Sequence, residues 1–140
     1  MIFFKIYLLL YLFGFFIPQN TSHPVLHKLK TPVSIAHQGG NHLYPDQSIL
    51  AFQNSVDLGI QVLELDVHRT LDGIIVIHHD ASINRLTNDT GMIKEMLWDD
   101  LQKVDGAYNW TMDGENYPYR GKGVKILSLS QLFEKYSDKI

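Results

Sequence analysis

LELDVHRTLDGIIVIHHD, residues Leu63 to Asp80, decides how the chain is read. Two apolar segments flank Asp72-Gly73, a dipeptide favoured in tight hairpin turns because glycine tolerates the left-handed backbone that such turns need. Only about six residues separate Val67 from Ile74, whereas a parallel crossover takes a dozen or more, so an antiparallel hairpin is expected. Side chains alternate along a strand, which puts Val62, Glu64, Asp66 and His68 on one face and Leu63, Leu65 and Val67 on the other. With Asp72-Gly73 as a two-residue turn, Leu71 pairs with Ile74 and Asp66 falls opposite His79. A slip of one residue would place His78 there instead.

Glu64 and Asp66, two apart on one face, repel each other unless one takes a proton or a cation keeps both ionised. Oxygen donors suit a hard ion such as Mg²⁺ or Ca²⁺, and an ion there would bind phosphate oxygens. An imidazole across the hairpin would move protons near neutral pH.

Outward from this stretch the chain reads as an α/β domain. Val33 to His37 is a short predicted strand, followed by a glycine loop at Gln38-Gly39-Gly40-Asn41. A helix follows, with Ile49, Phe52 and Val56 at helical spacing, a cap from Asp46 or Ser48, and Gly59 past its end. The second strand is expected over about Ile60 to His68. Leu97, Leu101 and Val104 predict a short helix. Leu129, Leu132, Phe133 and Tyr136 predict another, starting near Ser128 or Ser130. Between these helices lies a turn-rich, aromatic loop that contains Trp110, which is expected to pack rather than to bind lipid.

The chain has 140 residues, 45% of them apolar, and a net charge of −3. That allows one domain with a core and no basic surface for nucleic acid. There is no cysteine, which excludes a disulfide scaffold and a thiolate zinc site. At the amino terminus, Lys5 precedes an unbroken apolar run from Ile6 to Ile17. Residues 1–22 therefore read as a signal peptide or a membrane anchor, with membrane association through residues 2–17 in the second case. The protein is then expected to be exported (secreted or periplasmic), or anchored facing outside the cytoplasm. Residues 23–31 read as a linker, and the folded part begins at Pro32.

Four stretches together resemble the glycerophosphodiester phosphodiesterase family: IAHQGG at Ile35 to Gly40, YPDQSILAF at Tyr44 to Phe52, LGIQVLELDVHRTLDG at Leu58 to Gly73, and IVIHHDASINRLTNDTG at Ile75 to Gly91. Order and spacing match the family pattern of His-Arg-Gly, Pro-Glu-Asn-Thr, Glu-x-Asp-Val with Thr-x-Asp-Gly, then His-Asp and Arg-x-Thr. The resemblance implies a TIM-type (β/α) barrel of the PLC-like phosphodiesterase kind, of which residues 32–140 supply the first three or four units. It implies a metal-dependent hydrolase cleaving glycerophosphodiesters to glycerol 3-phosphate and an alcohol. By motif match, Glu64 and Asp66 are metal ligands for Ca²⁺ or Mg²⁺, and His37 and His79 are the general acid/base pair. Gln38 and Arg85 stand where substrate phosphate would be bound.

The chain departs from the family pattern in three places. Gln38 replaces the family's arginine, keeping a donor but losing the charge and the bidentate fork. Asp46 and Gln47 replace Glu-Asn. The family's third metal ligand, a glutamate in a later strand, has no counterpart up to Ile140, so these 140 residues alone are expected to be inactive. Three alternatives stay open: a related phosphodiesterase acting on lysophospholipids in the manner of a phospholipase D, a relative of the phosphatidylinositol-specific phospholipase C and sphingomyelinase D barrels, and a truncated non-catalytic relative.

Overall fold

The computed structural model describes residues 28–138, so the expected leader and most of the linker lie outside the described residues. Residues from Val33 onward form one compact unit. Among the described residues, no helix is long and apolar enough to cross a membrane.

The unit begins with β1 (Ile35–Ala36), which runs into a single 3₁₀ turn at His37–Gly39. Helix α1 (Ile49–Asp57) returns the chain to β2 (Val62–Leu63), which pairs with β1 in parallel. The ladder carries on past the strand ends, with the Glu64 amide donating to Ala36 O and the Gly39 amide to Glu64 O. Ser48 caps α1 by accepting from the Ala51 amide at 3.2 Å, which settles the choice between Asp46 and Ser48. The buried face of α1 is Ala51, Phe52 and Ser55. Phe52 joins Ile77, Leu132 and Tyr136 in one core cluster, against which Leu63 and Leu65 pack.

The expected second strand is divided between two sheets. After β2 the chain leaves the parallel pair and forms β3 (Val67–Arg69), antiparallel to β4 (Ile75–Ile77). Strand β5 (Leu127–Ser128) pairs antiparallel with the other side of β4. Glu64 to Asp66 thus bridges two sheets, and the alternation breaks there: Leu63 and Leu65 pack inward while Val67 is 46% exposed.

The hairpin forms, but its register is one residue away from the expected one. His68 pairs with Val76 and Arg69 with Ile75, so Thr70 rather than Leu71 faces Ile74. The turn is a three-residue loop, Leu71-Asp72-Gly73, closed by the Gly73 amide on Thr70 O at 3.1 Å, with Gly73 at φ +93°. A β-turn followed by one left-handed residue is the common three-residue solution. Asp72 is not free to sit in a two-residue turn, because its carboxylate accepts from Thr70 Oγ1 and from the Trp98 amide. Consequently His78, not His79, lies opposite Asp66, with its amide on Asp66 O at 3.1 Å.

Beyond β4 a 3₁₀ turn (Ile93–Glu95) leads to α2 (Trp98–Leu101), shorter than the sequence spacing predicts. Val76, Ile83, Ile93, Leu101, Val104 and Ile126 form a second core cluster. The aromatic loop before β5 is irregular and buries Trp110 with Leu86 and Ala107, as expected for a packing residue. Helix α3 (Leu129–Tyr136) starts with a capping box of Ser128 and Gln131. Its Leu132 and Tyr136 are buried, while Phe133 is 55% exposed.

Gly39 fixes how close the 3₁₀ turn lies to α1. A Cβ there would sit 2.8 Å from the Phe52 ring, and the residue is at φ +75°. Gly39→Ala therefore combines left-handed strain with a clash against a fully buried ring, and is expected to cost about 3 kcal/mol. Urea denaturation of the intact protein measures this; an unchanged midpoint would mean that the turn simply moves away.

Candidate active site

The loop after β1, the segment after β2 and the residues after β4 meet through a chain of hydrogen bonds. Glu64 Oε2 accepts from the Gln38 amide at 2.7 Å. Gln38 O accepts from the Gln47 amide at 2.9 Å. The Gln47 side chain then grips Asp66 twice, Nε2 donating to Oδ2 at 2.8 Å and Oε1 accepting from the Asp66 amide at 2.9 Å. Gln38 and Gln47 are both buried and both left-handed, at φ 49° and 52°.

One residue earlier, Asp46 opens a second chain. Its Oδ2 accepts from Arg85 Nη1 at 2.8 Å, and Arg85 Nε donates to Asp80 Oδ2 at 2.6 Å. The other Asp80 oxygen is 2.7 Å from His79 Nδ1. Burial by itself would raise the Asp80 carboxyl, but hydrogen bonds from Arg85 and His79 outweigh it and hold the group below the usual carboxylate range. Burial likewise works against the Arg85 charge, yet the bonds to Asp80 and Asp46 leave its pKa above the ordinary arginine value. With Asp80 ionised, His79 donates from Nδ1, which leaves Nε2 as the nitrogen open to a substrate.

Five of the six sequence-predicted residues fall into two groups. Glu64, Asp66 and Gln38 belong to the first chain; His79 and Arg85 belong to the second. His37 lies next to Gln38 in the 3₁₀ turn, exposed, with its carbonyl taken by the Gly40 amide. His68, on the carboxylate face in the sequence reading, places Nε2 3.2 Å from His79 O, so it steadies the catalytic candidate's backbone. His78 is 5% exposed, its Nδ1 bonded to Asp80 O and its Nε2 without a hydrogen-bond partner among the described residues. Burial lowers its pKa more than the Asp80 carbonyl and carboxylate raise it, so this imidazole is held neutral.

Two contributors escape the sequence reading. Gln47 was legible only as a substitution for the family's asparagine, and nothing local says that its amide reaches Asp66. Asp80 follows His79 directly, and that adjacency was the available signal for a carboxylate that orients the imidazole. Beside the second chain opens a cleft of about 390 Å³, lined by Asn41, His42, Asp46, Arg85, Trp110 and Thr111 among others.

Glu64 and Asp66 have the chemistry of a cation site. Their partners are a backbone N–H and a neutral amide, whereas Asp46 and Asp80 are paired with a guanidinium. Two neighbouring carboxylates without a positive partner among the described residues are suited to a hard divalent ion. Among those residues no third acidic or imidazole group completes the set.

The glycerophosphoryl diester phosphodiesterase family model matches residues 37–140. A glycerophosphodiester phosphodiesterase of Caldanaerobacter subterraneus subsp. tengcongensis is 35% identical over 111 residues, which are 79% of this chain and 42% of that protein. Glycerophosphodiester phosphodiesterase 1 of Bos taurus is 34% identical over 106 residues, 75% of this chain and 32% of its own length. The chain thus spans less than half the length of these relatives. Among solved structures, the glycerophosphoryl diester phosphodiesterase domain of a Mycobacterium tuberculosis protein superposes with a TM-score of 0.71 at 28% identity, over 75% of this chain and 40% of that one. A phosphodiesterase from Oleispira antarctica, solved with the product sn-glycerol-3-phosphate, gives a TM-score of 0.68 at 27% identity, over 82% and 43%. The fold is that of the corresponding portion of their TIM-type barrel, and with its motifs in the family order the chain belongs to the glycerophosphoryl diester phosphodiesterase family.

Proposed function

We propose that the protein hydrolyses glycerophosphodiesters to glycerol 3-phosphate and an alcohol, with Glu64 and Asp66 holding a divalent cation, Mg²⁺ or Ca²⁺. The observation that carries this reading is the carboxylate pair without a cationic partner, set one loop residue away from the Asp46–Arg85–Asp80–His79 chain. When bound, the ion supplies charge that neutralises phosphate oxygens and lowers the pKa of the attacking hydroxyl or water.

His79, oriented by Asp80 through Nδ1, exchanges a proton at Nε2, and His37 is the second member of the acid/base pair. One imidazole takes the proton of the attacking group and the other protonates the departing alkoxide. Gln38 offers its amide Nε2 to the phosphate, since its Oε1 is occupied by Asn41 Nδ2 at 3.0 Å. Arg85 contributes charge at the cleft edge while tying Asp46 to Asp80, so phosphate binding and loop anchoring reside in one side chain. The cleft beside it has room for the alcohol. The apolar run from Ile6 to Ile17 supports export or membrane anchoring, which would present the site outside the cytoplasm.

The test is incubation of the intact protein with a glycerophosphodiester and an enzymatic readout of glycerol 3-phosphate, with a lysophospholipid as the second substrate. Release of glycerol 3-phosphate from the water-soluble diester is expected. Release of free glycerol together with the phosphate monoester of the alcohol, or no turnover at all, overturns the reading.

A further inference from the structure

Gln38 and Gln47 are the two non-glycine residues at positive φ among the described residues, and they are 5% and 4% exposed. Residues with a Cβ adopt this conformation at a cost, which persists where surrounding bonds fix it. Here those bonds all lead to the carboxylate pair. Gln47 N–H holds Gln38 O, Gln38 N–H holds Glu64 Oε2, and the Gln47 amide holds both Asp66 Oδ2 and the Asp66 N–H. One oxygen of each carboxylate is therefore committed to an N–H donor. The other, Oε1 of Glu64 and Oδ1 of Asp66, has no donor among the described residues.

We propose that Gln47 is the positioning residue of the cation site, and that its grip on Asp66, with the Gln38 N–H on Glu64, leaves each carboxylate one oxygen for the ion, favouring Mg²⁺ over Ca²⁺. This deepens the proposed function and rests on its assignment of Glu64 and Asp66 as ligands. Mg²⁺ takes six ligands in near-octahedral geometry, retains waters, and is satisfied by one or two single-oxygen carboxylate contacts plus substrate phosphate. Ca²⁺ takes six to eight oxygens and gains from carboxylates that offer both. For Asp66 to offer both, its Oδ2 has to serve the ion and the Gln47 N–H, 2.8 Å away, at once, which weakens it as a ligand. The neutral amide also fits the role better than a lysine or arginine would, since it orients the carboxylate without neutralising the charge that attracts the ion.

The experiment is calorimetric titration of the intact protein with Mg²⁺ and, separately, Ca²⁺, without substrate, for the wild type and Gln47→Met. Methionine keeps the length of the side chain and removes both hydrogen bonds. The wild type is expected to bind Mg²⁺ at least as tightly as Ca²⁺. Gln47→Met is expected to weaken Mg²⁺ about 10- to 100-fold and Ca²⁺ less, so that the ratio of the two affinities falls about tenfold. A general loosening of the fold would weaken both ions alike, so the ratio isolates positioning. Should Gln47→Met fail to fold, Gln47→Leu removes the same two hydrogen bonds without adding charge or a ligand, and the same fall in the ratio is expected. A wild type that prefers Ca²⁺, or folded Gln47 variants with an unchanged ratio, overturns the proposal. Glu64→Ala and Asp66→Ala separate the two levels: if they leave both affinities unchanged the ligand assignment itself fails, whereas if they abolish binding and the Gln47 ratio does not move, only the positioning role fails.

Discussion

Replacing Glu64 or Asp66 by alanine in the intact protein is expected to lower kcat/KM for a glycerophosphodiester by about 10³-fold or more, and an excess of chelator is expected to do the same to the wild type. The size follows from electrostatics. A phosphodiester is an anion, and these two carboxylates have no cationic partner among the described residues to offset them. Without an ion they would repel the substrate, and transition-state charge on the phosphate oxygens would go uncompensated. Removing one carboxylate removes a proposed ligand and also the acceptor that Gln38 N–H or Gln47 holds, so each single variant is expected to act on binding and on geometry. Steady-state kinetics over a Mg²⁺ series measures the effect. If either variant keeps wild-type kcat/KM at saturating metal, that residue is not a ligand.

The second large effect is expected at His79. His79→Ala removes the imidazole proposed to exchange the proton and is expected to lower kcat by about 10²- to 10⁴-fold. Asp80→Asn keeps an oxygen near Nδ1 but removes the charge that Arg85 and His79 share, and is expected to lower kcat by a smaller factor, about tenfold or more. The two variants distinguish proton transfer from orientation: the first deletes the imidazole, the second keeps it and removes the charge that orients it. His78→Gln serves as the comparison, because His78 is buried and bonded to Asp80 O, not to a candidate substrate atom. A His78→Gln variant that loses kcat by about 10²-fold or more while His79→Ala keeps wild-type kcat would exchange the roles of the neighbouring histidines.

That exchange is the point at which sequence reasoning was most exposed. A two-residue Asp-Gly turn put His79 opposite Asp66, and the three-residue loop puts His78 there. A single turn residue shifts every pairing above it, and the turn length here is set by Asp72, whose carboxylate caps the start of α2 some 26 residues later. His79 is held by Asp80, beyond the ladder, so its proposed role rests on the motif and on that contact and not on the register.

Local features were legible because their causes are local. Ser48 and Ser128 cap the helices that follow them, Phe52 and Leu132 fall on buried faces set by helical period, and Leu63 and Leu65 turn inward by strand alternation. The motif residues likewise carry the resemblance on which the proposed chemistry rests: paired carboxylates, histidines and a glycine loop. The division of the second strand between two sheets was not legible, since an apolar alternating run reads the same whether it stays with one neighbour or changes neighbours after Leu63.

By itself the sequence determined which side chains are available to the site and the helical and strand periods that carry them, because those depend on residue type and near neighbours. Only the tertiary structure decided which oxygen of each carboxylate is held, that Arg85 spans 39 residues to Asp46, and that Gln47 grips Asp66 from 19 residues away. Such contacts depend on where the whole chain path brings two distant segments, and no local preference encodes that distance.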